Sequence, residues 1–137
     1  RRYTMNHRTI GLLMFISVFL IFTSCMHLKA AFGSEDALRQ RITMEWEAKV
    51  KKDWGTVYDL MVGICKDTID RNRFIQKANV NVQDFAIKEV RILEYGRKAQ
   101  AVVDYRIKQM NFGFTVTSRE EWLWENGDWH LNLMTAL

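Results

Sequence analysis

Apolar and polar positions change their period twice along this chain. From Ile10 to Phe22 almost every residue is apolar (IGLLMFISVFLIF). From Leu38 the apolar residues fall four apart, at Leu38, Ile42, Trp46 and Val50, with Arg39, Arg41, Glu45, Glu47, Lys49 and Lys51 between them. That spacing predicts an amphipathic helix to about Lys52. Ser34 suits its N-cap, and Glu35 and Asp36 suit its positive end. Asp53 reads as the N-cap of a second helix, with Trp54, Val57, Tyr58, Met61, Ile64 and Cys65 on its buried face. A short third helix is expected from Asp70 to Lys77, with Phe74 and Ile75 inward.

After Asn81 the period becomes two. Phe85 to Tyr95 reads as a strand and Gly96-Arg97-Lys98 as a turn. Ala99, Ala101, Val103, Tyr105 and Ile107 then alternate with Gln100, Asp104, Arg106 and Lys108, giving a strand with one buried face, broken only by Val102. Asn111 to Gly113 marks a second turn and Phe114 to Glu125 a long strand. Asn126-Gly127 is a strong hairpin signal, with Trp129 to Met134 returning. A two-residue loop there sets Trp124 opposite Trp129 and Trp122 opposite Leu131. Helices followed by an antiparallel meander predict an α+β domain with its helices on one face of the sheet.

The apolar run at the start is shorter than the roughly 20 residues that cross a bilayer core, and it fits the h-region of an export signal. Residues 1–28 are therefore expected to be a signal leader or a transmembrane anchor, 29–36 a linker and 37–137 the domain. Phe22-Thr23-Ser24-Cys25 resembles a bacterial lipobox, which implies lipidation of Cys25; an uncleaved signal anchor is the other reading. In both, Arg1, Arg2 and Arg8 precede the apolar run. The positive-inside rule then leaves the N-terminus cytoplasmic, where it is retained, and the domain extracytoplasmic, periplasmic or at the cell surface. Membrane lipid is the expected partner of this segment.

Net charge is +4, but the three leader arginines account for much of it, and beyond them 17 basic residues face 16 acidic ones. Nothing clusters into the basic stripe that nucleic acid requires. Lys49, Lys51 and Lys52 read as a solvated helix face. Cys65 reads as a buried small hydrophobe. The sequence has no CxxC, no HExxH and no Cys/His cluster of metal-ligand spacing, so neither a metal nor a cofactor is expected.

The step Lys52-Asp53-Trp54, then Val57-Tyr58-Asp59-Leu60, then Phe74, then Glu121-Trp122-Leu123-Trp124-Glu125-Asn126-Gly127-Asp128-Trp129 resembles the nuclear-transport-factor-2-like superfamily, which includes ketosteroid isomerase and scytalone dehydratase. The resemblance spans about Leu38 to Leu133. It implies a cone of about three helices packed on a curved antiparallel sheet, with a pocket at the open end and, in many relatives, dimers through the sheet face.

Tyr58, Tyr105 and Glu120 are the pocket candidates. No catalytic residue is assigned, because the isomerase's Asp base with Tyr and Asp donors does not map onto this chain. The dehydratase's paired histidines are missing too, since His130 alone lies in the domain and strict alternation turns it away from Trp129 and Leu131. Phe112, beside a hairpin tip, and Trp122, Trp124 and Trp129 are the candidate partner contacts. The expectation is a membrane-tethered, non-catalytic interaction module, an accessory or assembly subunit of an envelope complex. A small-molecule isomerase or dehydratase using the cone pocket is the alternative.

Overall fold

A computed structural model describes residues 32–109 and 112–135. The apolar leader, Cys25, and Asn111 of the expected turn lie outside the described residues. Among those described, no helix is long and apolar enough to cross a bilayer.

Among the described residues, four helices precede a four-stranded antiparallel sheet in the order β1-β2-β3-β4. Helix α1 covers Glu35–Lys51. Ser34 caps it, its hydroxyl accepting from the Ala37 N–H at 3.2 Å. Leu38, Ile42 and Trp46 are buried as the spacing predicts. Helix α2, Trp54–Asp59, is capped by Asp53, which accepts from the Thr56 N–H at 3.1 Å. The expected second helix does not continue through Cys65. It stops at Leu60–Val62, and a separate helix α3, Gly63–Thr68, follows.

The cause of the break is tertiary. Leu131 donates its N–H to the Leu60 carbonyl at 2.8 Å and accepts from the Val62 N–H at 3.0 Å, so Met61 bridges to Leu131 in parallel. A few residues of extended chain thus occupy the edge of the last strand, as an exposed ladder edge favours. Ile64, assigned to the buried face of an unbroken helix, is 61% exposed instead. Helix α4, Arg71–Lys77, has Asp70 as its cap and Phe74 and Ile75 half-buried.

Strands β1 (Val82–Leu93), β2 (Lys98–Gln109), β3 (Phe112–Glu125) and β4 (Asp128–Asn132) form the meander. The Asn126-Gly127 turn has φ of 53° and 82°, the paired left-handed conformation of a two-residue hairpin. It sets Trp124 opposite Trp129 and Trp122 opposite Leu131. The core lies between α1 and one sheet face, where Leu38, Ile42, Trp46, Ala99, Ala101, Val103, Trp122, Trp129 and Leu131 are buried. A second cluster holds Tyr58, Met61, Val62 and Cys65 under α2 and α3.

Candidate functional site

Helix and sheet differ in reach. Seventeen helical residues rise roughly 25 Å, whereas twelve strand residues run roughly 40 Å. The N-terminal end of α1 is pinned at one end of the sheet, where the Gly33 N–H donates to the Gly96 carbonyl at 3.0 Å and Trp129 Nε1 donates to the Ser34 carbonyl at 3.1 Å. From there α1 reaches the level of Phe85 and Tyr105, whose rings meet Trp46 at 6.1 and 4.6 Å. The strands continue past it.

Two features result. The first is a polar cluster beneath the C-terminal half of α1. Glu45 is fully buried, and Lys49 Nζ lies 2.5 Å from its Oε1 and 3.6 Å from Glu120 Oε1. Ser118, Glu120 and Trp122 share one face of β3 by its period of two. Ser118 Oγ donates to Glu120 Oε1 at 3.5 Å, and Trp122 Nε1 donates to Glu120 Oε2 at 3.4 Å. The Lys49 ammonium also sits over the Trp46 ring, 3.8 Å from its centroid. Trp46 Nε1 is buried and has no acceptor among the described residues.

Burial, reinforced by the neighbouring Glu120 carboxyl, pushes Glu45 up to about 8. It is therefore protonated at neutral pH, where an isolated buried carboxylate would be costly. Burial alone would lower Lys49, but Glu45 and Glu120 outweigh it and hold the amine above its ordinary value. The cluster combines a proton-bearing acid, a fixed cation and a second carboxyl within one packed interior.

The second feature is apolar. Phe112 and Phe114 lie on the same face of β3 as Glu120 and Trp122, but beyond the end of α1, and are 68% and 50% exposed. Phe114 pairs across the ladder with Ile107 and Val116 with Tyr105. Phe112 and Phe114 thus leave an uncovered apolar end to the sheet face whose other end is the core.

The sequence candidates separate accordingly. Tyr105 is half-buried against Trp46, and Glu120 is at the polar cluster. Tyr58 is elsewhere: its hydroxyl donates to the Lys66 and Ile69 carbonyls at 3.1 and 2.8 Å, tying α2 to α3. It is a structural tyrosine rather than a pocket group. Trp122 and Trp129 are wholly buried and cannot touch a partner, because α1 packs over them. Trp124 is half-buried edge-on against Trp129, with centroids 5.4 Å apart. Phe112 is the most exposed of that set, and Trp124 keeps part of its surface accessible.

Glu45 and Lys49 were expected on the solvated side of α1. They flank Trp46 at one residue before and three after, so a helix dipping deep into a curved sheet takes them inside with it. Their i,i+4 spacing was the only sequence signal of a pair. Among the described residues no group of three His, Cys, Asp or Glu side chains is placed to hold a metal ion. Grooves of about 370 and 190 Å³ open beside Phe85, and neither is lined by Glu45 or Lys49.

No protein-family model and no curated protein matches this sequence. Solved structures share the fold. A SEC-C motif containing protein from Rhodopseudomonas palustris superposes with a TM-score of 0.55 at 14% identity, over 73% of this chain and 75% of that one. Another SEC-C motif containing protein, from Psychrobacter arcticus, gives 0.59 at 12% identity, over 70% of this chain and 58% of its own, so the present chain spans little more than half of that neighbour. An NTF-2-like protein of unknown function from Shewanella oneidensis MR-1 gives 0.49 at 14% identity, over 70% and 92%. At such identities the likeness to the two SEC-C motif containing proteins is one of fold.

Proposed function

We propose that this chain is a non-catalytic interaction module of the nuclear-transport-factor-2-like type, held outside the membrane by its apolar leader and serving as an accessory or assembly subunit of an envelope complex. One observation carries the reading: the sheet face beyond α1 ends in exposed Phe112 and Phe114, continuous with the core, while the interior behind them is packed by Trp46, Tyr105 and a self-neutralising polar cluster. Exposed aromatics at the end of an apolar face are what a docking partner covers.

The test is native mass spectrometry of the full chain extracted from its own membranes in mild detergent. The parent should appear in a larger assembly, and the Phe112→Ser/Phe114→Ser variant as a free chain. An assembly that survives both substitutions, or a parent that is always free, overturns the reading.

A small-molecule isomerase or dehydratase is the second reading, favoured by the buried Glu45 carboxyl paired with Lys49 and Glu120 in the interior. It requires that a ligand enter the interior and that Glu45→Gln abolish turnover without unfolding the domain.

A further inference from the structure

We infer that the β1–β2 hairpin tip, with Tyr95 at its apex and Phe32 beside it, is the membrane-facing surface of the domain, resting on the lipid headgroups while the Phe112 end points away. The inference rests on the tethered reading of the leader. It commits the two ends of the sheet to different occupants, lipid at one and protein at the other.

Chain geometry gives the orientation. The leader joins the domain at Phe32 and Gly33, and Gly33 is hydrogen-bonded to Gly96 in that tip. Phe32 is seven positions after Cys25, a reach of roughly 25 Å when fully extended. Phe112 lies at the opposite end of β2 and β3, roughly 40 Å of strand away. A tether that short keeps the Tyr95 end next to the bilayer, and with the sheet standing upright on that tip the Phe112 end is held clear of it.

The tip is built to present its ring. Tyr95 is 93% exposed. Glu94, Tyr95 and Gly96 all have positive φ, at 48°, 54° and 84°, so the backbone turns through a left-handed stretch that side chains such as glutamate and tyrosine rarely adopt. Phe32 is partly exposed, and the Arg97 guanidinium lies over its ring at 5.9 Å. Tyrosine with a neighbouring arginine is the composition that settles at the headgroup level, ring toward the acyl boundary and polar groups in water. Glu94 and Arg97 flank the apex together, so the contact does not depend on anionic lipid.

The experiment uses the full chain reconstituted into phosphatidylcholine vesicles, with an environment-sensitive fluorophore at Tyr95→Cys or at Phe112→Cys. Both positions are exposed, so neither variant disturbs the core. Buried Cys65 stays unlabelled in the folded chain, and the parent supplies the background from Cys25. Flotation first reports whether the chain is tethered. Nitroxide-labelled lipids should then quench the probe at 95 and leave the probe at 112 unchanged. A chain that floats with position 95 unquenched overturns this orientation and leaves the tether standing. Equal quenching at both positions means that the domain lies flat, and overturns it as well. A chain that does not float overturns the tether and the orientation together.

Discussion

Gly33 lies against the indole of Trp129, so closely that a β-carbon on it would sit 2.2 Å from the Trp129 Cε2 atom. The next residue, Ser34, takes the indole N–H on its carbonyl at 3.1 Å. This contact joins the entry of the chain to the last hairpin and fixes where α1 starts. Gly33→Ala should destabilise the domain by about 1–3 kcal/mol through overpacking, lowering Tm by roughly 4–8 °C per kcal/mol. Thermal unfolding followed by circular dichroism checks it, and an unchanged Tm would mean that Trp129 can move aside.

The protonated Glu45 carboxyl gives the fold a pH dependence of defined sign. Its folded value of about 8 lies above the ordinary 4.5, so the folded state holds the extra proton between those limits. Its contribution to stability is complete below about pH 4.5 and is lost as pH rises through 8. The parent should therefore melt at a lower temperature at pH 8.5 than at pH 6. Glu45→Gln, which stays neutral, should flatten that difference. A parent and variant with parallel profiles would place the titration elsewhere.

Tyr58 should behave as a structural residue. Tyr58→Phe removes one hydroxyl that serves two carbonyls of the α3 region and should cost about 1–2 kcal/mol in urea unfolding. Assembly in mild detergent should be unaffected. A loss of assembly with stability intact would return Tyr58 to the binding surface.

Gly127 carries φ of 82° in the β3–β4 turn. Gly127→Ala puts a side chain into a conformation it disfavours and should cost about 1 kcal/mol. The register that pairs Trp122 with Leu131 should persist, readable from amide exchange across β3 and β4.

The sequence by itself determined the α+β class, the start of α1 at Ser34, the Asn-Gly hairpin and the register of its tryptophans. Each depends on local rules: a capping hydroxyl, a period of two or four, and a turn that needs two positive φ values. Tertiary structure decided the rest. Helices α2 and α3 have a continuous apolar spacing, and the chain pairs with Leu131 where they break at Met61. A register shift between Ile87 and Glu89 resets the phase of β1, so that Ile87 and Val90, three apart, pair with buried Val103 and Ala101 on one face. The polar cluster was least legible. Glu45 and Lys49 sit at positions that read as solvated, yet Glu45 is buried and Lys49 half-buried, where Glu120, 75 residues after Glu45, comes to meet them across the sheet. A period along one element shows which face turns inward; how deep its flanks sink depends on what the rest of the chain brings against it.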